Sequence, residues 1–252
     1  MDKKLEYNRY NKSSAKKIDK LDGFWPEGSA AYPLYLGTPY IFYESILAEN
    51  ISPGMKVLDL CCGDGIHSLF LARLGADVIA VDIAENSIKL AELRAENAGI
   101  RGIRFLVADA EELPFGQVEK FDVITCVGSL SYVDIQPLID RLLELLKENG
   151  KFICVDSFNH NPVYRMNRYI HYLKGERTLS TLNRMPDITT IQILNSRFKS
   201  VQVNYFGIFS FLGPVFQKII GDIKAKKIID RLDNRMSFLK NQAFKIVLIA
   251  KK

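Results

Sequence analysis

Three aspartates and two glycines recur at spacings that suit a nucleoside ligand. Asp59 leads with Gly63 and Gly65 in DLCCGDG, Asp82 follows twenty-three residues on, and Asp109 comes after that. Glycines let a backbone turn tightly and approach a ligand closely. A helix starting just after them points its free N–H groups and positive dipole end at that ligand. A carboxylate at position 82 would accept both hydroxyls of a ribose. The polar stretch TCVGSLS (125–131) adds a fourth set of candidates. Taken singly, a Gly-x-Gly is a tight turn and a lone aspartate caps a helix; together they point to a nucleoside-containing cofactor.

Strands must position these groups. Apolar runs at 55–60, 77–82, 103–108, 121–127 and 151–157 predict five strands, with helices expected at 65–74, 87–97 and 135–147. Short strands buried on both faces and separated by helices mean parallel pairing with right-handed crossovers. After residue 157 the rhythm changes. Helices are expected at 163–173 and 189–195, a strand at 201–205, an insert at 206–239 and a final antiparallel edge strand at 243–251. The expected fold is doubly wound α/β, a mostly parallel seven-stranded sheet with helices on both faces and an antiparallel edge strand. In such a sheet ligands bind beyond the carboxyl ends of the strands, where strand order reverses. Asp59, Asp82, Asp109 and 125–131 all fall at those ends. One domain is expected over 1–252: a lid segment at 1–45, a cofactor-binding core at 46–158, and a substrate side at 159–252 that includes the 206–242 insert.

Composition narrows the class. The chain has 252 residues and a net charge of +5. The charge is uneven: 21–159 hold ten Lys and Arg against twenty-one acids, whereas 160–252 hold seventeen against five. A basic third is either a solvated face or the mark of an anionic partner, such as a phosphorylated substrate, a membrane surface or nucleic acid. No apolar run reaches 18 residues and the N-terminus lacks a signal-peptide core, so a cytoplasmic location is the expectation. Cys61, Cys62, Cys126 and Cys154 match no zinc spacing; free thiols and no metal are expected. Residues 1–20 read as a polar tail or loose helix. The aromatic segment 21–43 (Phe24, Trp25, Tyr32, Tyr35, Tyr40, Phe42, Tyr43) is expected to pack across a pocket mouth.

The loop discriminates among cofactors. A dinucleotide site wants a third glycine where Ser68 stands, and no Gly-Lys-Ser/Thr of a P-loop follows. VLDLCCGDG (57–65) instead resembles the first motif of class I S-adenosylmethionine-dependent methyltransferases. VIAVD ending at Asp82, FLVADAEELPF (105–115) and FDVITCVGSLSYV (121–133) are similar to that family's later motifs. The resemblance implies S-adenosyl-L-methionine as cofactor. It implies that Asp59, Gly63 and Gly65 hold the methionine portion, Asp82 the ribose, and Ile83 one adenine face. Asp109 and Ala110 would meet the adenine amino edge, and Cys126, Val127 and Ser129 would run beneath the sulfonium. Cys61 stands where the family usually has its first glycine, so its side chain must turn from the ligand or narrow the pocket.

The acceptor is less legible. No Asp/Asn-Pro-Pro-Tyr follows the fourth strand and no Pro-Cys nucleophile occurs, which sets DNA aside and leaves RNA as an alternative. The expected reaction is methyl transfer to O or N of a small, anionic, sugar- or lipid-type metabolite. A non-catalytic S-adenosylmethionine-binding protein is a further alternative. His160, Tyr132 and Asp156 are the candidate bases or orienting groups. Arg165, Arg168, Lys174 and Arg177 suit a phosphate or carboxylate. The apolar-then-basic stretch 205–227 is expected to be a lid over the acceptor; the alternative is peripheral contact with a membrane, or acceptance of a lipid-linked substrate.

Overall fold

The computed structural model describes residues 3–19, 26–116 and 119–252. Phe24 and Trp25 lie outside them. Two helices, α1 (Lys3–Ile18) and α2 (Leu34–Asn50), precede the sheet. Then come β1 (Lys56–Leu60), α3 (Ile66–Arg73), β2 (Asp77–Asp82), α4 (Glu85–Asn97), β3 (Ile103–Val107) and β4 (Phe121–Val127). The chain continues through α5 (Ile135–Leu145), β5 (Leu146–Ser157), α6 (Pro162–Leu173), α7 (Leu179–Asn183), α8 (Ile188–Arg197) and β6 (Ser200–Phe206). It closes with α9 (Gly213–Ile220), α10 (Asp222–Arg235) and β7 (Lys245–Lys251).

The seven strands lie in the order β3-β2-β1-β4-β5-β7-β6. The first five are mutually parallel, and β7 runs antiparallel to both β5 and β6. The final strand is therefore not the edge: β7 enters between β5 and β6, and β6 takes the outer position. Strand order reverses between β1 and β4, which opens a crevice at their carboxyl ends.

Side-chain alternation builds two cores, one on each face of the sheet. Val57, Val78, Ala80, Val123, Ile153 and Val155 pack with Tyr43 and Leu47 of α2 and Leu71 of α3. Their neighbours Leu58, Ile79, Val81, Ile124, Phe152 and Cys154 pack with Leu138 and Leu142 of α5 and Leu194 of α8. Both faces are covered, so these strands read as continuous apolar runs. Leu58 has no exposed surface, and truncating it to alanine should cost ~2–5 kcal/mol.

Two stretches depart from local expectation. β5 begins at Leu146, where helix was expected: Leu146 pairs with Phe121, the chain bulges through Asn149 (φ +63°), and pairing resumes at Lys151 opposite Val123. Residues 3–18, expected as a polar tail or a loose helix, form a helix packed against α4, joined by a Ser14–Ser87 hydroxyl contact of 3.0 Å and the Asn86 N–H to Asn11 Oδ1 at 2.8 Å. All four cysteines are free thiols. Among the described residues no helix is long and apolar enough to cross a membrane.

Candidate functional site

The crevice begins at the end of β1. Asp59 is 1% exposed and its two oxygens accept the Ser68 hydroxyl at 2.6 Å and the Thr125 hydroxyl at 2.9 Å. Burial raises its pKa to about 6, against those two hydrogen bonds. It thereby ties the first turn of α3 and the C-terminal half of β4 to the end of β1.

The two glycines after it do different work. Gly63 has φ +56° and open space where a side chain would begin, on the wall of a cavity of about 280 Å³. Gly65 has φ +77°, and a Cβ there would sit 2.8 Å from Ala91 Cβ, so it lets α3 pack against α4. Gly65 is not on the cavity wall. Cys61 adopts φ +52°, packs against the core cluster that contains Cys126, and still lines the cavity.

Asp82 closes the second strand. Its Oδ2 accepts the Gly63 N–H and its Oδ1 the Ala84 N–H, both at 2.9 Å. Burial lifts its pKa above the ordinary carboxylate value. One lone pair on each oxygen remains for a hydroxyl pair. Ile83, 37% exposed, offers an apolar face beside it. Asp109 accepts the Glu111 N–H through Oδ1 at 3.0 Å and Lys3 Nζ through Oδ2 at 2.6 Å. Ala110, Val127 and Ser129 complete that side; Cys126 is buried in the core behind them and does not line the cavity.

The cavity is roofed by α1. Lys3 also meets Glu111 at 2.7 Å, Lys17 meets Asp64 at 2.7 Å, and Glu6, Tyr7 and Tyr10 line the roof. Two observations fit the adenosyl cofactor that the motifs imply. The space over Gly63 is one that a Cβ would enter. His67, on the same wall, is 6% exposed with Nδ1 unpartnered, while Nε2 lies 3.2 Å from the Tyr32 hydroxyl. The first turn of α3 adds backbone donors for an anionic end.

A second cavity, of about 880 Å³, adjoins the first. Tyr10, Tyr32, Val127, Gly128 and Tyr132 line both. Its outer wall is built from α2, α6 and α10, including Ile229, Asp230 and Asp233 of α10. Of the stretch 205–227, only Gly207 and Ser210 line this chamber, and the α10 residues on its wall lie beyond that stretch.

Of the proposed catalytic trio, two face the chamber. Tyr132 accepts hydrogen bonds from Tyr10 Oη (2.8 Å) and Arg9 Nη2 (3.0 Å). Asp156, 1% exposed, accepts the Leu130 and Ser157 N–H groups at 2.8 and 2.6 Å, and burial raises its pKa against the pull of Lys245. His160 is elsewhere. Its Nε2 accepts the Ile188 N–H at 3.3 Å at the start of α8, and its ring packs 4.7 Å from that of Phe158. The chain has turned away from the sheet by Asn161, which caps α6, and that turn carries His160 off the chamber wall.

Sequence reasoning missed Arg9, Tyr10 and Lys245. The first two sit in a polar helix with no core-forming stripe. Lys245 opens an apolar strand, and a charged residue leading KIVLIAK was the one available signal.

A family described as "Methyltransferase domain" matches residues 51–199. A ubiquinone biosynthesis O-methyltransferase of Xanthomonas axonopodis pv. citri is 32% identical over 166 residues, covering 63% of this chain and 68% of the relative. One from Leptothrix cholodnii is 36% identical over 152 residues, covering 60% of this chain and 64% of that one. The crystal structure of a magnesium protoporphyrin IX methyltransferase from Synechocystis with bound SAH covers both chains fully, with TM-score 0.64 and 17% identity. That last likeness concerns the fold.

Proposed function

This chain belongs to the methyltransferase-domain family of class I S-adenosylmethionine-dependent enzymes, and we propose that it methylates an oxygen of a small molecule seated in the 880 Å³ chamber. The observation that carries the reading is the shared wall at Tyr10, Tyr32, Val127, Gly128 and Tyr132, where the cofactor crevice opens onto the acceptor chamber. The O-methyltransferase names of its relatives support oxygen over nitrogen.

When bound, S-adenosylmethionine supplies a methyl group on a sulfonium, an electrophile with a neutral thioether as leaving group. The protein's part is binding and positioning, which in favourable cases lowers a barrier by roughly 7–11 kcal/mol. Asp82 would take the ribose hydroxyls, Ile83 one face of the adenine and Asp109 its amino edge. Asp59, Cys61 and Gly63 would frame the methionine portion, with Val127 and Ser129 below. Gly65 and Cys126 act through packing behind them. Helix α1 excludes water from above.

Two groups are proposed to act on the acceptor. Tyr132 already accepts two hydrogen bonds, so its own proton is left to donate to an acceptor oxygen. Asp156, buried with two backbone donors, would receive the acceptor's hydroxyl proton. His160 is not retained in that role.

The test is incubation with methyl-labelled S-adenosylmethionine and fractionated cell extract. Label is expected in a small molecule as an ether. Label confined to RNA and lost with ribonuclease would overturn the reading. A lipid-linked acceptor is the variant supported by the exposed Val215, Ile219, Ile223 and Phe238 around α9 and α10. Flotation with anionic liposomes tests it, and an absence of co-flotation removes it.

A further inference from the structure

We propose that the acceptor carries a carboxylate, held in the larger cavity between Arg168 of α6 and Lys245 of β7; this rests on the small-molecule reading of that cavity. Both side chains line it. Arg168 is 6% exposed and Lys245 8%. The Arg168 Nη1 is engaged by the Phe158 carbonyl at 3.4 Å and Asn159 Oδ1 at 3.3 Å, but its Nη2 has no partner. Lys245 makes no hydrogen bond or ion pair with any of the described residues; the rings of Tyr40 and Phe244 lie 5.5 Å from its Nζ. Arg168 sits 5.6 Å from the same Phe244 ring, so one aromatic surface is flanked by both cations.

Two buried cations on the wall of one cavity, one of them with a guanidinium nitrogen that lacks a partner, are costly unless an anion joins them. Burial and the neighbouring Arg177 lower the Arg168 pKa to about 10, and burial lowers that of Lys245. The cavity's acids do not supply the missing anion. Asp230 accepts from Thr38 and Lys226, Asp233 from the Gly207 and Phe209 N–H groups, and Glu176 pairs with His171. Asp156 attracts Lys245 but lies beyond ion-pair contact, its oxygens on the Leu130 and Ser157 N–H groups.

Against Arg168 and Lys245, Asp156 leaves one positive charge in the buried part of the chamber. A monoanion balances it, and a carboxylate matches the donor set, with one oxygen for Nη2 and one for Nζ. A phosphate monoester would overshoot in charge and needs a third donor. Tyr35, Tyr40, Tyr164 and Phe244 surround the site, which suits an aromatic or otherwise flat apolar body on the acceptor.

The test uses the full chain saturated with S-adenosylhomocysteine and three probes of one shape: 2-naphthoate, 2-naphthamide and 2-naphthyl phosphate, followed by calorimetry. The naphthoate is expected to bind roughly tenfold or more tightly than the amide, as charge-assisted hydrogen bonds allow. Lys245→Met is expected to erase that preference while S-adenosylhomocysteine affinity stays at the wild-type value. Arg168→Lys, which keeps the charge, should retain part of it. Equal binding of naphthoate and naphthamide by the wild type overturns the proposal whatever the variants do. Tighter binding of the phosphate, or a preference surviving Lys245→Met, overturns it as well. If labelling yields a methylated small molecule without a carboxylate, or a methyl ester, this inference falls and the small-molecule reading stands. If no small molecule is labelled, that reading falls first.

Discussion

The Tyr10 hydroxyl reaches Tyr132 at 2.8 Å, joining the N-terminal helix to the wall that the two cavities share. Arg9 adds a second bond to the same phenol at 3.0 Å, and its other nitrogen holds the Glu176 carbonyl at 2.9 Å. Helix α1, the roof of the smaller cavity, is thus tied to the wall of the larger one. Removing residues 1–19 should weaken S-adenosylhomocysteine binding at least tenfold, by calorimetry. Lys3→Ala alone should cost much less, since its partly exposed ion pairs are worth ~0–1 kcal/mol each. Unchanged affinity after truncation would show that α1 does not close the site.

Gly63 and Gly65 should separate when each is changed to alanine. Gly65→Ala meets Ala91 as well as a positive φ, and a loss of ~1–3 kcal/mol of stability is expected in denaturant melts. Gly63→Ala meets nothing in the protein, so its stability loss should be ~1 kcal/mol from φ alone. Its main effect should be on cofactor affinity, because the new methyl enters the crevice. Equal losses of affinity in the two variants would contradict this division.

Asp59 and His67 should respond to pH in opposite directions over one window. The folded pKa of Asp59 is raised to about 6, so the native state holds a proton the unfolded state has released, and stability falls as pH rises from about 4 to 6. The shift caps the effect at ~3 kcal/mol. Asp59→Asn should therefore gain on the wild type as pH rises through that window. His67 is lowered to about 4 by burial, so its neutral ring favours the fold above 6.5, and that stability is lost as pH falls toward 4. His67→Gln should gain on the wild type as pH falls. Chemical denaturation at half-unit pH steps reads both slopes, and parallel slopes would refute the assignments.

Asp156→Asn should lower kcat roughly a hundredfold once an acceptor is in hand, within the ordinary range for loss of a positioned base. His160→Ala should leave the pH–rate profile in place, with stability changed by ~1 kcal/mol through the lost bond to the Ile188 N–H. A collapsed alkaline or acid limb in the His160 variant would return that residue to the chemistry.

Local pattern determined much of this protein. Strands at 77–82 and 121–127 were legible to the residue, because a strand buried on both faces must be apolar and must end where polar side chains meet solvent or ligand. For the same reason Asp82 and Asp109 could be placed at strand ends from sequence, and the departures of Cys61 and Ser68 from a dinucleotide pattern were open to view. The larger cavity was not legible, since it depends on which distant strands become neighbours. β7 enters antiparallel beside β5 and sets Lys245 opposite Ser157, next to Asp156, though these residues are far apart in the chain. The turn after β5 swings His160 away while α6 brings Arg168 in. α1, mostly polar, had no core-forming apolar stripe to announce that it covers the smaller cavity. Periodicity reports how a segment meets its own surroundings; only the completed sheet order decides which side chains share a cavity.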